Sequence, residues 1–274
     1  MIKEFLNYSK NVRGLAPRTI QEYSKNLKEF VLYASPLGLT WRTITATEVD
    51  KWTATMSEQG LAVQTIKERI STLRCFFRWM VRQQMLAENP AQFASTPRRH
   101  SKLPAHCDST LIDKWLAKPA KTPQEATVKV ATAIMLDTGL RLAECLGLRQ
   151  QDFDQSKQVI KVTGKGHKER LVCYGRRTTE ACTKYRCSRT DYLFPDMDGY
   201  QLRKMMYETL GKEVDRVHPH LLRHTFAFDQ LENGMPLENL SVLLGHTNTA
   251  TTEIYARASL KKTQAIYRQI NKPN

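Results

Sequence analysis

Between residues 218 and 255 the chain reads His-Pro-His-Leu-Leu-Arg-His-Thr-Phe-Ala-Phe, then Leu-Leu-Gly-His-Thr-Asn, then Thr-Thr-Glu-Ile-Tyr. His220, Arg223 and His224 stand at i, i+3 and i+4, so a helix opening near Leu221 places them on one face. Gly234 and Pro236 end that helix. A short second one, Leu237 to Leu244, closes on Gly245 as a left-handed cap. His246 follows the cap, and Tyr255 lies nine residues on, in a segment that Thr251 or Thr252 can cap. Taken singly, each has a plain structural explanation: a histidine beside leucines is most often a hydrogen-bonded core residue, and a single tyrosine is most often packing. Joined to Arg141 and Lys165 upstream, they become an inventory for breaking a phosphodiester.

Such a cleavage without metal needs a nucleophile, positive charge for the pentavalent phosphorus, and a proton for the leaving 5′ oxygen. The Tyr255 phenol can attack phosphorus and keep the bond energy as a phosphotyrosine ester. Arg141 and Arg223 can each fork onto non-bridging oxygens and remain charged while doing so. Lys165, at the tip of a Gly164-Lys-Gly turn, can reach the leaving oxygen as general acid. His220 can accept the phenolic proton and His246 can donate to a phosphoryl oxygen. No cofactor is called for.

The elements that must position these groups follow from periodicity. Residues 1–96 read as helices throughout: one with Ile2, Phe5, Leu6 and Val12, and one opened by Pro17 with Ile20, Tyr23, Leu27, Phe30 and Val31. A third, started by Thr45 or Thr47, carries Val49, Trp52 and Met56, and a fourth runs from Val63 to Met85. The fourth shows Ile66, Ile70, Leu73, Phe77 and Met80 on one face and Lys67, Arg69, Arg74, Arg78 and Arg82 on the other, a basic stripe suited to phosphate contact. Residues 97–107 are polar, basic and proline-containing, and read as an interdomain linker with Arg98 and Arg99 available to a DNA backbone. The second domain, 108–274, begins with a helix capped by Ser109 and another from Pro123 through Met135. Asp137-Thr-Gly139 then breaks the pattern and leaves Arg141 at the opening of the next helix. Val159–Thr163 and Glu169–Tyr174 alternate as a hairpin with Lys165 at its tip. Helices resume from Gln201, and Leu260–Ile270 is amphipathic. The fold class expected is mostly α: an N-terminal helical bundle plus a C-terminal mixed α/β domain with a small antiparallel sheet.

Composition agrees with a polyanionic partner. The 274 residues carry a net charge of +15. It is shared, with 15 basic against 8 acidic residues in 1–100 and 27 against 19 in 101–274, which suits DNA held between two lobes better than a basic tail. The six cysteines form no CxxC pattern, so reduced thiols are expected, and no apolar run is long enough for a membrane span. Localisation in the cytoplasm is the corresponding expectation.

Five blocks now stand in order: Thr138-Gly-Leu-Arg141-Leu-Ala-Glu144, Gly164-Lys165-Gly-His-Lys-Glu-Arg170, His220-Leu-Leu-Arg223-His224, Leu244-Gly-His246 and Thr252-Glu-Ile-Tyr255. In that order they resemble the catalytic blocks of the tyrosine recombinases, the phage integrase family, in its simple Xer-like form. The resemblance implies a SAM-like core-binding domain and a catalytic domain closing as a clamp on double-stranded DNA at an inverted-repeat core site. It implies Arg141, Lys165, His220, Arg223 and His246 as activating residues, Tyr255 as nucleophile, Glu144 as their support and His224 as structural. It also implies strand exchange through a 3′-phosphotyrosyl intermediate and a Holliday junction, for integration or excision of a mobile element or for dimer resolution. A homotetramer on synapsed DNA follows (monomer or dimer when free), with a partner recombinase or accessory factor and a C-terminal helix reaching a neighbouring protomer. Three other readings compete: a DNA-binding regulator that lost the chemistry, a metal nuclease built on His218, His220 and His224, and a type IB topoisomerase.

Overall fold

The computed structural model describes residues 1–97, 104–164, 168–185, 191–195, 197–245 and 255. The fold is mostly helical with a small antiparallel sheet, and the chain divides into two compact units, Met1–Ser101 and Lys102–Asn274.

In the first unit, α1 (Ile2–Asn11), α2 (Pro17–Ala34), α3 (Ala46–Glu58) and α4 (Val63–Arg82) enclose an aromatic core of Phe5, Phe30, Trp52, Phe76, Phe77 and Trp79. Thr45 opens α3 with a capping box on Glu48, as its position before an apolar run predicts. Val12, expected on the apolar face of α1, is instead 69% exposed just past the helix end. The fourth helix stops at Arg82, three residues before the expected Met85. After it, Arg74 donates to the carbonyls of Ala91 (3.0 Å) and Ala94 (2.6 Å), holding the following loop against α4.

In the second unit, α5 (Ser109–Ala117) is capped by the Asp108 carboxylate, which accepts from the Thr110 amide, so the cap sits one residue before the expected Ser109. The helix α6 (Pro123–Thr138) is buried along most of its length and forms the spine of this unit. Around it lie α7 (Leu142–Leu146), a meander of β1 (Phe153–Asp154), β2 (Val159–Thr163) and β3 (Glu169–Cys173), then α8 (Arg176–Lys184), α9 (Gly199–Thr209), α10 (Pro219–Glu232) and α11 (Leu237–Leu244). Pairing runs β1-β2-β3, with Ile160 opposite Val172 and Val162 opposite Arg170. The two-residue β1 is too short for alternation to be read from sequence, and α8 has no large apolar side chain to mark its buried face. The Asp137 carboxylate accepts from the Gly175 and Thr178 amides and so fixes the start of α8 to α6. Pro219 opens α10 two residues earlier than expected, as its preset φ allows.

The turn that matters most for the site is at Gly139. It ends α6 in the left-handed conformation (φ 65°), which turns the chain so that Arg141 becomes the N-cap of α7. A Cβ there would collide with the Phe226 ring and lie 2.8 Å from Leu244 Cδ2. Gly139→Ala therefore meets both left-handed strain and a clash between α6, α10 and α11. A cost of about 2 kcal/mol or more is expected. Calorimetry should show the second unit melting roughly 4–8 °C lower.

Candidate active site

Three carbonyls in a row close the C-terminal end of α11, and three arginines from different elements donate to them. Arg170 Nε reaches the Leu243 carbonyl at 2.9 Å, Arg223 Nη2 reaches Leu244 at 2.7 Å, and Arg141 Nη2 makes a long contact to Gly245 at 3.4 Å. A helix end leaves these carbonyls without intrahelical partners and carries the negative end of the helix dipole, so cations are favoured there. Gly245 takes the left-handed cap conformation (φ 62°) that its position after the apolar run predicts. Arg223 donates a further bond to the Gly139 carbonyl at 2.6 Å, joining α10 to the α6–α7 turn.

Beneath the arginines lies Glu144, on α7 with its side chain only 6% exposed. Its Oε1 accepts from Arg141 Nη1 and Arg170 Nη1, both at 3.0 Å, and its Oε2 accepts from Arg170 Nη2 at 2.9 Å and the Arg141 amide at 2.8 Å. Burial alone pushes this carboxyl up. The Arg170 fork, the Arg141 amide and both positive charges outweigh it, and the net displacement is downward.

Arg170 is the residue that sequence reasoning missed as a participant. A signal was present, because strand alternation puts Arg170 on the same face as the buried Val172, and an inward arginine needs a built partner.

Next to the cations, His220 and His224 lie one turn apart on α10, with ring centres 6.4 Å from each other. His224 Nδ1 is 2.7 Å from the Tyr255 hydroxyl oxygen. The Tyr255 side chain is 2% exposed and packs with Phe226, Phe228, Leu240 and Leu244. Desolvation raises its pKa, against which the fields of Arg223 and Arg141 act downward. Burial lowers the pKa of Arg223 to about 10, assisted by the neighbouring charge of Arg141, and leaves it protonated at neutral pH. His220 is lowered by burial and then by Arg223, His218, Arg141 and Arg203. His224 is lowered to about 4, by burial first and then by His220, His218 and Arg223. Both imidazoles are consequently neutral at pH 7.

The structure thus brings together Arg141, Glu144, His220, Arg223, His224 and Tyr255. Lys165, His246, Arg98 and Arg99 lie outside the described residues, as do Thr251, Thr252, the remainder of the linker's basic run and the amphipathic Leu260–Ile270 segment. The basic stripe of α4 divides. Arg78 is exposed, and Arg82 is exposed while donating to the Tyr8 hydroxyl at 2.8 Å. Arg69 sits 3.6 Å from Glu29 with a side chain only 15% exposed, and Arg74 is spent on backbone carbonyls. Three of these four arginines therefore have partners inside their own unit. No group of three or more His, Cys, Asp or Glu side chains that could hold a metal ion occurs among the described residues. Nor, among them, is any helix long and apolar enough to cross a membrane.

The family model described as "Phage integrase family" matches residues 108–262, and that of the "Phage integrase, N-terminal SAM-like domain" matches residues 2–84. Tyrosine recombinase XerC of Escherichia coli O1:K1 / APEC is 30% identical over 281 residues, covering 97% of this chain and 94% of that protein. Among solved structures, the site-specific recombinase XerH bound to palindromic difH substrate in a post-cleavage complex superposes with a TM-score of 0.74 at 19% identity. That alignment covers 98% of this chain and 84% of the other. The Tn1549 transposon integrase in complex with circular intermediate DNA gives 0.73 at 18% identity, over 94% and 98%.

The buried Glu144 carboxylate makes acid stability informative. Its pKa is lower folded than unfolded, so its contribution is complete above the ordinary glutamate range and is lost as pH falls through the folded value. Glu144→Gln is expected to cost about 3–5 kcal/mol at neutral pH by leaving two guanidiniums unmatched. It should also flatten the acid limb of a stability-versus-pH curve measured by urea unfolding.

Proposed function

The chain belongs to the phage integrase family, the tyrosine recombinases, and is a site-specific recombinase, a DNA strand transferase; we propose that it cuts each strand by attack of Tyr255 on the scissile phosphorus. The product is a 3′-phosphotyrosyl ester and a free 5′ hydroxyl, and a 5′ hydroxyl from the partner duplex reverses the step to give a Holliday junction. One observation carries this reading: the buried Tyr255 phenol lies in the fields of Arg223 and Arg141, two guanidiniums gathered from separate elements onto adjacent carbonyls of one helix end.

In this reading Arg141 and Arg223 leave part of their backbone bonding to fork onto the non-bridging phosphate oxygens. They supply the positive charge that a divalent ion supplies in other phosphoryl transfers. Glu144 and Arg170 hold Arg141 in register from beneath. The neutral His220, with His246, donates to the phosphoryl oxygens, and Lys165 protonates the leaving 5′ oxygen. The substrate is double-stranded DNA with inverted-repeat arms, engaged by four protomers on two synapsed sites in the cytoplasm. Arg78, Arg82, Arg98 and Arg99 reach the backbone. The close match in length and identity to XerC favours resolution of chromosome or plasmid dimers, acting with a partner recombinase. Integration and excision of a mobile element is the alternative task for the same chemistry.

A nicked suicide duplex tests the chemistry, because the short 5′ fragment diffuses away and traps the covalent complex. Tyr255→Phe should lower trapping by about 10⁴-fold or more while leaving DNA binding nearly intact. A trapped complex of normal yield with Tyr255→Phe would exclude this nucleophile.

Lys165→Ala should be slow on ordinary DNA and recover on a duplex whose scissile 5′ oxygen is replaced by sulfur, since a thiolate leaves without a proton. Failure of the sulfur substrate to restore single-turnover cleavage would remove Lys165 from the general-acid role.

A further inference from the structure

We propose that His224, not His220, takes the proton of Tyr255 as the phenol attacks phosphorus. The inference rests on the reading of Tyr255 as nucleophile and concerns where its proton goes. His224 Nδ1 lies 2.7 Å from the Tyr255 oxygen, a normal O–H to N hydrogen bond, with ring centres 5.5 Å apart. Between a phenol and a neutral imidazole, the phenol is the stronger acid, so Tyr255 donates and Nδ1 accepts. His224 is then the Nε2–H tautomer.

Three features suit the pair to proton transfer. Tyr255 is 2% exposed, so loss of its proton directly to water is slow and a protein group beside the hydroxyl is needed for fast removal. Next, the contact is fixed from both sides. Tyr255 stands edge-on to Phe228 with ring centres 6.0 Å apart, and His224 is carried on the same helix as Phe228. Finally, among the described residues the charged and titratable groups acting on the pair are His218 at the N-cap of α10, His220 and Arg223 on α10, and Arg141 at the start of α7, and none of these is anionic. Burial first, and then His220, His218 and Arg223, keep the imidazole unprotonated in the free protein, with a pKa of about 4. A bound phosphodiester brings negative charge against the same groups and raises the basicity of His224 at the moment it is needed.

The step balances. The Tyr255 O–H bond breaks as its oxygen forms a bond to phosphorus, and the proton passes to Nδ1 to give an imidazolium. The bond from phosphorus to the 5′ oxygen breaks, and that oxygen takes its proton from Lys165. On ligation the imidazolium returns its proton to the departing phenolate.

The test is single-turnover formation of the covalent complex on a nicked duplex with sulfur as the scissile bridging atom. The leaving group then needs no proton, and only removal of the Tyr255 proton is read. The wild-type rate is expected to be level between roughly pH 7 and pH 9. His224→Gln keeps a hydrogen-bond acceptor but cannot bind the proton. It should be slower by about 10²- to 10⁴-fold near pH 7 and climb about tenfold per pH unit, because the phenol must then ionise to solvent. His220→Gln should be slower yet level. The proposal is overturned if His224→Gln matches wild type, if it is slow but level, or if the pH slope appears in His220→Gln instead. Tyr255→Phe run in parallel separates the two readings, since cleavage by that variant would remove the nucleophile itself.

Should His224→Gln lose its cooperative melt, nitrogen NMR of the histidine-labelled wild-type protein decides. The His224 Nδ1 resonance must move in Tyr255→Phe, and an unmoved resonance refutes the hydrogen bond on which the proposal stands.

Discussion

The site depends on the C-terminal end of α11. Its last carbonyls have no intrahelical partners, and they accept from guanidiniums of β3, α10 and the start of α7. An eight-residue helix is too short to be stable alone, and its end is fixed by what binds it. The dependence is mutual. Arg223 is 3% exposed, and a buried cation is tolerable only where acceptors are in place, which here are the carbonyls of Gly139 and Leu244. Both are backbone atoms held by left-handed glycine turns, the Gly139 cap on α6 and the Gly245 cap on α11. The two glycines therefore determine where the positive charge sits.

Among the described residues, the guanidiniums of this cluster are held in two different ways. Glu144 spends both of its oxygens on Arg141 and Arg170, while Arg223 donates to the carbonyls of Gly139 and Leu244. Carbonyls stabilise a cation without cancelling its charge. In the proposed chemistry an arriving phosphate would meet arginines already gathered at one place, which would exchange part of their carbonyl bonding for its oxygens. Placing a second carboxylate beside Arg223 would make the free protein more stable and the site less able to hold an anion.

Much of this was legible in the sequence, for reasons that differ by residue. Gly139 and Gly245 were readable because a glycine directly after an apolar helical run is a C-cap signal. The one-face placement of His220, Arg223 and His224 follows from helical spacing alone. Long-range partners were not readable. Arg74 looks like one more member of a basic stripe, and only tertiary structure reveals that its fork is used by Ala91 and Ala94. Arg170 sits in a strand between residues of ordinary alternation, and its bond to Glu144 spans 26 positions of sequence. Residue type does not state whether a surface-type side chain faces water or a distant backbone carbonyl. The fold class was the easier inference, since apolar periodicity summed over long helices averages out such local ambiguity.

Adjacent residues on α10 divide the work by the geometry of the helix. Successive side chains project about 100° apart, so Arg223 and His224 diverge within the one face and bond different partners. Arg223 turns to the α6–α7 turn and the end of α11, and His224 turns to Tyr255. His220, one turn earlier, shares the face of both. One helix therefore orients the cation that would meet phosphate and the imidazole that meets the phenol, at a spacing that no loop could hold as closely. Because α10 packs on the buried α6, any shift of its axis displaces cation and imidazole together. Their mutual geometry is conserved through such a movement, while their distance to Tyr255 is not.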